Sequence, residues 1–122
     1  MSLRISDMPV TSKPWGGETL IALTPSYAFK RIVMQAGTRC SLQSHIHKLE
    51  SIYVVRGEIE LETIDQHGVA HHELFVTGTG YTVPPGTKHR VRVVQDAVLF
   101  EVSTPELDDV VRHADDYQRA TP

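Results

Sequence analysis

The sequence predicts an all-β protein, a sandwich or barrel built from short strands. Three observations carry this. Candidate strands recur at spacings of about 8–12 residues, Gly and Pro turns separate them, and side chains within them alternate with period two. The alternation is cleanest in EIELE, where Ile59 and Leu61 face in and Glu58, Glu60 and Glu62 face out as a solvated edge.

Taken in order, residues 1–12 mix polar and apolar types around Pro9 and read as an extended arm with one short strand at most. Lys13–Gly17, KPWGG, is a turn by its Pro and Gly content. Trp15, the only Trp, reads as a plug on the barrel end or as a ligand wall. Glu18–Leu23 and Tyr27–Gln35 read as strands divided by Thr24-Pro25-Ser26. In the second, Lys30, Ile32 and Met34 share one face and Phe29, Arg31 and Val33 the other. Both faces are mostly apolar, which predicts a sheet covered on both sides or closed by a dimer contact. Lys30 or Arg31 must then reach a cavity or snorkel to solvent.

Glu50–Val55 and Glu58–Thr63 read as a hairpin around Arg56-Gly57. Asp65–Val69 is a turn with His67 at its tip, and Ala70–Phe75 is a strand in which only one of His71 and His72 can face inward. His72 is a minor candidate for a ligand site. Gly78–Val83 leads into the tight turn Pro84-Pro85-Gly86, followed by strands Lys88–Val94 and Ala97–Val102. Pro105 ends the sheet. The acidic tail Glu106–Arg119 would cover a barrel edge, with Asp108 and Asp109 capping a short helical turn.

A chain of 122 residues suits one domain spanning 1–122. Its parts would be an N-terminal arm over about 1–17, a barrel over about 18–104 and a C-terminal tail over about 105–122. A net charge of −3 offers no basic field for nucleic acid or an anionic membrane. One cysteine, Cys40, excludes an internal disulfide and fits a reducing cytosol. The N-terminus lacks a signal-peptide apolar run and no segment is long and apolar enough to span a bilayer, so the expected home is the cytoplasm. Internal repeats, a Gly-rich phosphate loop, a nucleophile elbow and a CxxC pair are all absent from the sequence.

Chemistry concentrates in Ser41–Gly57, SLQSHIHKLESIYVVRG, which holds Gln43, His45, His47 and Glu50 close together. Histidine and carboxylate oxygen suit a borderline divalent ion such as zinc, manganese, iron or nickel. In an extended chain Gln43, His45 and His47 point the same way, and a bend at Ile46–Leu49 would bring Glu50 to the same point. His-x-His alone is a weak signal. A second, separated element, VPPGTKH at Val83–His89, strengthens it.

Together the two elements resemble the paired motifs of the cupins. Gly37, Gln43-Ser44-His45, Glu50 and Gly57 fit the spacing of the first motif, with Gln43 in place of its first His. Gly78, Pro84, Gly86 and His89 fit the second, with Val93 where Asn is usual. The resemblance implies a single-domain cupin, a double-stranded β-helix or jelly-roll barrel that closes its own edges. A closer resemblance runs through KPWG (Lys13–Gly16), FKRI (Phe29–Ile32), SLQSHIHKLE (Ser41–Glu50), VPPGTKHR (Val83–Arg90) and DDVVRHADDYQR (Asp108–Arg119). These segments are similar to the C-terminal cupin domain of type II mannose-6-phosphate isomerases. In that family the cupin follows a sugar-nucleotidyltransferase domain, which these residues do not include, so synthesis of GDP-mannose is not implied. Lys48 stands where the family usually has Arg, Ser51 where it tends to have His, and Gln118 where it has Gly.

The resemblance implies a divalent metal in the barrel mouth, zinc first, with manganese, iron or nickel as alternatives. The cupin frame assigns Gln43, His45, Glu50 and His89 as ligands. A literal reading of His-x-His gives His45, His47, Glu50 and His89. Three or four protein ligands leave coordination positions open, as catalytic sites do. An aldose–ketose isomerisation would use them, with the metal polarising the sugar and a base moving a proton between C1 and C2. Lys30 and Lys48 are the catalytic candidates, with His47 a further possible base, and a substrate phosphate would want Lys30, Lys48 and Arg90. Three functions are therefore in play: isomerase of a phosphorylated sugar, another metal-dependent cupin such as an oxygenase, or a non-catalytic binder of a sugar or other small polar ligand. A homodimer is expected, with the N-terminal arm adding to the partner's sheet.

Overall fold

A computed structural model describes residues 1–122. The regular elements are nine strands: β1 (Val10–Lys13), β2 (Gly16–Leu23), β3 (Ala28–Met34), β4 (Leu42–Ser44), β5 (Glu50–Ile64), β6 (Ala70–Val76), β7 (Gly80–Val83), β8 (Lys88–Ser103) and β9 (Val111–Ala114). They form one curled sheet in the order β1-β2-β3-β8-β4-β9, and β5 pairs with β6, β7 and β8. All pairings are antiparallel.

The expected hairpin at Arg56-Gly57 is not there. β5 runs on from Glu50 to Ile64 and keeps β8 as its partner throughout, with the register shifting between Val54 and Ile59. Its first half also pairs with β7 and its second half with β6. Gly57 explains both the expectation and the outcome. A glycine between two apolar runs reads as a turn signal, but here, at a φ of 101°, a long facing strand converts the irregularity into bulges. A Cβ at this position would run into the Asp96 carbonyl, so the close approach of β8 also demands glycine. The two strands expected over Lys88–Val94 and Ala97–Val102 fuse for the same reason into β8.

The alternation sets the core. Ile52, Val54, Ile59 and Leu61 of β5 meet Val91, Val93, Ala97 and Leu99 of β8, and Ile32 and Met34 of β3 complete the layer. The glutamates of EIELE face outward as expected, where Glu60 pairs with Arg92 and Glu62 with His72. Parity also settles β3. Lys30 shares the inward face of Ile32 and Met34, while Arg31 is exposed. Trp15, in the turn between β1 and β2, is buried against the same core.

The tail differs from expectation. Residues beyond Pro105 contain β9, not a helical turn, and β9 pairs with β4 to form the last edge of the sheet. Asp109 caps no helix; its carboxylate is bonded to the backbone of Ile46, His47 and Lys48 across the barrel end.

Candidate metal centre

His45 directly follows the end of β4 at Ser44, β5 begins with Glu50, and His89 is the second residue of β8. The backbone ties the two motif elements together, because the Gly86 N–H donates to the His45 carbonyl at 2.7 Å. Gln43 lies opposite His89 in the β4–β8 ladder. All three of His45, Glu50 and His89 are at most 5% exposed, and one ligand atom from each lies within 4.8 Å of the others.

The hydrogen bonds reveal what these groups are prepared for. His45 donates from Nδ1 to the Asp109 carbonyl at 2.6 Å, and His89 donates from Nδ1 to the Thr87 carbonyl at 2.9 Å. A carbonyl only accepts, so each Nδ1 carries the proton. In the neutral imidazoles both Nε2 atoms then present lone pairs. They face the same oxygen, Glu50 Oε1, at 3.3 and 3.0 Å. Either both rings are protonated against one carboxylate oxygen, or a cation belongs among three lone pairs. Histidines oriented through the second nitrogen are the usual support of metal ligands. The donor set therefore fits a divalent ion such as zinc or manganese.

Around this trio sits a second layer of charge. Lys48 is buried with its Nζ 3.4 Å from Glu50 Oε2. Burial alone would raise the Glu50 carboxyl, but hydrogen bonds from His45, His89 and Glu101, with the charge of Lys48, hold it well below the usual carboxylate range. Glu101 is the opposite case. Burial, reinforced by the neighbouring Glu50 charge, pushes it up to about 8. One of the two carboxyls is thus ionised while the other keeps its proton.

Two adjoining cavities open from the cluster. The inner, about 80 Å³, is walled by Ile32, Met34, Ile52, Val91 and Leu99 and reaches Glu50, His89 and Arg90. The outer, about 170 Å³, carries Lys13, Lys30, Lys48, Arg112 and Arg119 against Glu18, Glu50, Glu101 and Asp108. Trp15, Cys40 and Gln43 border both. Trp15 is therefore a core plug and a cavity wall at once. Burial pushes the Cys40 thiol up to about 12, so it faces the cavity as a neutral group.

The expected site residues divide clearly. His45, Glu50 and His89 converge, while Gln43 lines both cavities with its Oε1 accepting from the Ser41 hydroxyl at 3.0 Å. His47 lies outside the cluster and is exposed. The alternation that would aim it inward stops at Ser44, where β4 ends and the chain turns. Lys30 and Lys48 line the outer cavity, and Lys30 is paired with Glu18 at 3.1 Å. Burial alone would lower the Lys30 ammonium, but Glu18, Glu101 and Glu50 raise it above its ordinary value. His72 is exposed beside Glu62. Of the departures from the family pattern, Ser51 faces away from the cavity, bonded to Thr82.

The sequence reading missed Glu101. Its signal was present: in the apolar run AVLFEV it is the only charge, and parity places it with Ala97 and Leu99 on the inward face. Arg112 and Arg119 entered only within a resembling segment. Arg112 now stands out because its buried Nε has no partner, and Arg119 is held by a two-pronged bond to Asp115.

Residues 7–115 match the family described as mannose-6-phosphate isomerase C-terminal. The chain is 32% identical over 113 residues to the xanthan biosynthesis protein XanB of Xanthomonas campestris pv. campestris (strain B100), and 34% identical over 114 residues to mannose-1-phosphate guanylyltransferase of Escherichia coli (strain K12). Each alignment covers 88% of this chain, which spans 23% and 22% of those relatives. Among solved structures, oxalate decarboxylase from Bacillus subtilis superposes with a TM-score of 0.78 at 15% identity, covering 89% of this chain and 31% of that one. KdgF from Halomonas sp. superposes with a TM-score of 0.70 at 20% identity, covering 85% of this chain and 92% of that one. The all-β fold is that of the cupins, as the sequence motifs imply.

Proposed function

We propose that this chain, which belongs to the mannose-6-phosphate isomerase C-terminal family, isomerises a phosphorylated sugar of the mannose 6-phosphate/fructose 6-phosphate type at the His45–Glu50–His89 centre. The observation that carries the reading is the pair of tethered imidazoles aimed at one carboxylate oxygen, beneath a mouth rich in cations. His45, Glu50 and His89 would hold the divalent ion, zinc in the first instance, with Gln43, which lines both cavities, as the proposed fourth donor. When bound, the ion would supply Lewis-acid polarisation of the sugar carbonyl or its neighbouring hydroxyl.

The chain's own groups do the rest. Lys48 and Glu101 stand on the cavity wall, where one of them moves the proton between C1 and C2, while Lys30, kept as an ammonium by Glu18, stands beside them as a cation. The orphaned Arg112 Nε favours an anion at the mouth, and Lys13, Lys30 and Arg119 add positive charge beside it. Trp15 gives the sugar an apolar wall. The free thiol of Cys40 suits a reducing compartment, so the proposed site of action is the cytoplasm. We further propose a homodimer, because Val33, Tyr53 and Val102 leave apolar surface exposed on the outer sheet face and Leu3, Ile5 and Met8 do so on the arm.

A coupled assay from mannose 6-phosphate to fructose 6-phosphate, run beside elemental analysis, tests the reading. Turnover that vanishes with chelator and returns with the ion is expected. Metal-replete protein without turnover, but binding the sugar phosphate in calorimetry, would replace catalysis by ligand binding. Light scattering that finds a monomer at micromolar concentration would overturn the dimer.

A further inference from the structure

We propose that Asp109 is the positioning residue of the metal centre, and that through it the bound ion and the C-terminal strap, residues 109–119, stabilise one another. The inference rests on the reading that His45, Glu50 and His89 bind a divalent ion.

The path of the chain between the ligands needs an explanation. Were β4 to continue past Ser44, His47 would stay on the cavity side. Instead the chain turns, and the backbone N–H groups of Ile46, His47 and Lys48 all point at one carboxylate. Asp109 Oδ1 accepts from Ile46 at 2.9 Å, and Oδ2 accepts from His47 at 2.7 Å and Lys48 at 2.9 Å. Successive N–H groups turned to one side form a concave anion site, and here the anion comes from the chain's own tail. Without it three donors in a tight turn would lose their partner. The turn is what lets residues five apart in sequence, His45 and Glu50, bring Nε2 and Oε1 within 3.3 Å.

The same residue also fixes the ring. The Asp109 carbonyl accepts the His45 Nδ1 proton at 2.6 Å, which sets the tautomer and aims Nε2 at Glu50. One aspartate thus shapes the loop with its side chain and orients the ligand with its backbone. Asp109 lines neither of the two cavities. Two residues later the strap enters β9 and pairs with Gln43 and Ser44 of β4. Further along, Asp116 bonds both Nε and Nη2 of Arg39. The strap is therefore docked at three places, and the first of them is the turn between His45 and Glu50.

Linkage follows. If docking of the strap favours the geometry that binds the ion, the ion must favour docking by the same factor. The test compares wild type with Asp109→Ala, Asp109→Asn and the exposed control Glu73→Ala. Zn2+ affinity is read by competition with a chromophoric chelator. Tryptic cleavage at Arg112 and Arg119 is read with and without Zn2+. Loss of such an orienting group costs about 10–100-fold in metal affinity. That range is expected for Asp109→Ala, with Asp109→Asn between it and wild type because one acceptor oxygen remains. Glu73→Ala should match wild type. Zn2+ should slow cleavage of the strap in wild type and leave it unchanged in Asp109→Ala. A merely structural Asp109 would change cleavage without making it independent of the ion.

If Asp109→Ala does not fold, Asp109→Asn carries the test, with the amide signals of residues 46–48 as a check on the turn. Equal Zn2+ affinity in wild type and both variants, or equal protection by the ion, would overturn the role of Asp109. A wild type that takes up no Zn2+ at all would overturn the metal reading itself, and the two failures are distinguished by the wild-type titration alone.

Discussion

Histidine meets carboxylate in two regions of this molecule, at nearly the same distance. Inside, His89 and His45 lie 3.0 and 3.3 Å from Glu50. Outside, on the β5–β6 hairpin, His72 lies 3.0 Å from Glu62 and His71 lies 2.9 Å from Asp65. Distance does not separate the two groups; surroundings do. The inner side chains are 1–5% exposed, whereas the outer histidines are 48% and 60% exposed. The inner rings are also tethered through Nδ1 to backbone carbonyls, while the outer rings bond only their carboxylates. Water competes for an exposed pair and leaves it nearly worthless. A buried, oriented pair keeps its full electrostatic force and can be committed to a ligand.

The largest contrast is expected in metal retention. Glu50→Gln removes the one carboxylate that both imidazoles face, and Glu62→Gln removes its surface counterpart. After loading with Zn2+ and dialysis, elemental analysis should find no ion on Glu50→Gln and the wild-type content on Glu62→Gln. Equal retention would erase the distinction between the regions. Stability should follow the same order in the apo protein. Glu50→Ala leaves Lys48 buried without its partner, a loss of about 3 kcal/mol. Glu62→Ala should cost less than ~1 kcal/mol. Urea unfolding at neutral pH measures both.

The contrast also shows what the sequence could and could not express. Parity grouped Lys30 with Ile32 and Met34 and left open whether that face or Arg31's turned inward, and the structure buries the Lys30 side. Ile59 and Leu61 turned inward as expected, because a half-buried strand must alternate. Parity placed the glutamates of EIELE outside for the same reason. Motif spacing brought His45, Glu50 and His89 to one place, since both motif elements sit at strand ends on the same rim. Parity failed at His47, where the strand ends and a residue more than sixty positions away imposes a turn. The turn signal failed at Gly57, where a turn and a bulge share one signature and only the partner strand decides. Asp109 read as a helix cap because its chemistry, accepting consecutive N–H groups, is the same in a helix and in a loop. Long-range partners, not local preference, made the difference each time.

Between the two extremes lies the strap, and pH should sharpen where it falls. The Arg119 guanidinium and backbone N–H groups hold the Asp115 carboxyl down at about 2, and the three N–H groups of residues 46–48 hold Asp109 at about 2. Both folded values lie below the ordinary aspartate value of 3.8. Their stabilisation is therefore complete above the ordinary carboxylate range and is lost as pH falls from there through about 2. In a titration from pH 5 downward, NMR signals of residues 109–119 should lose their native positions before those of β5 and β8. Asp115→Asn should flatten that dependence. Strap and barrel signals that disappear together would mean the strap has no separate stability.

The smallest effect concerns a single backbone angle in the same turn. Gln118 has φ of 56°, the one non-glycine residue in the left-handed region, and its N–H donates to the Asp115 carbonyl at 3.2 Å. A side chain in that conformation costs roughly 1–2 kcal/mol. The family that this chain resembles carries glycine at the position, which removes the cost. Glycine also gains freedom in the unfolded chain, worth roughly 0.5–1 kcal/mol in the other direction. Gln118→Gly should therefore tighten the strap by a net ~0.5 kcal/mol, read as slower tryptic cleavage at Arg119 without a change in Zn2+ affinity at saturation of the strap. Faster cleavage would show that the Asp115–Arg119 bond, not the strain at Gln118, dominates this turn.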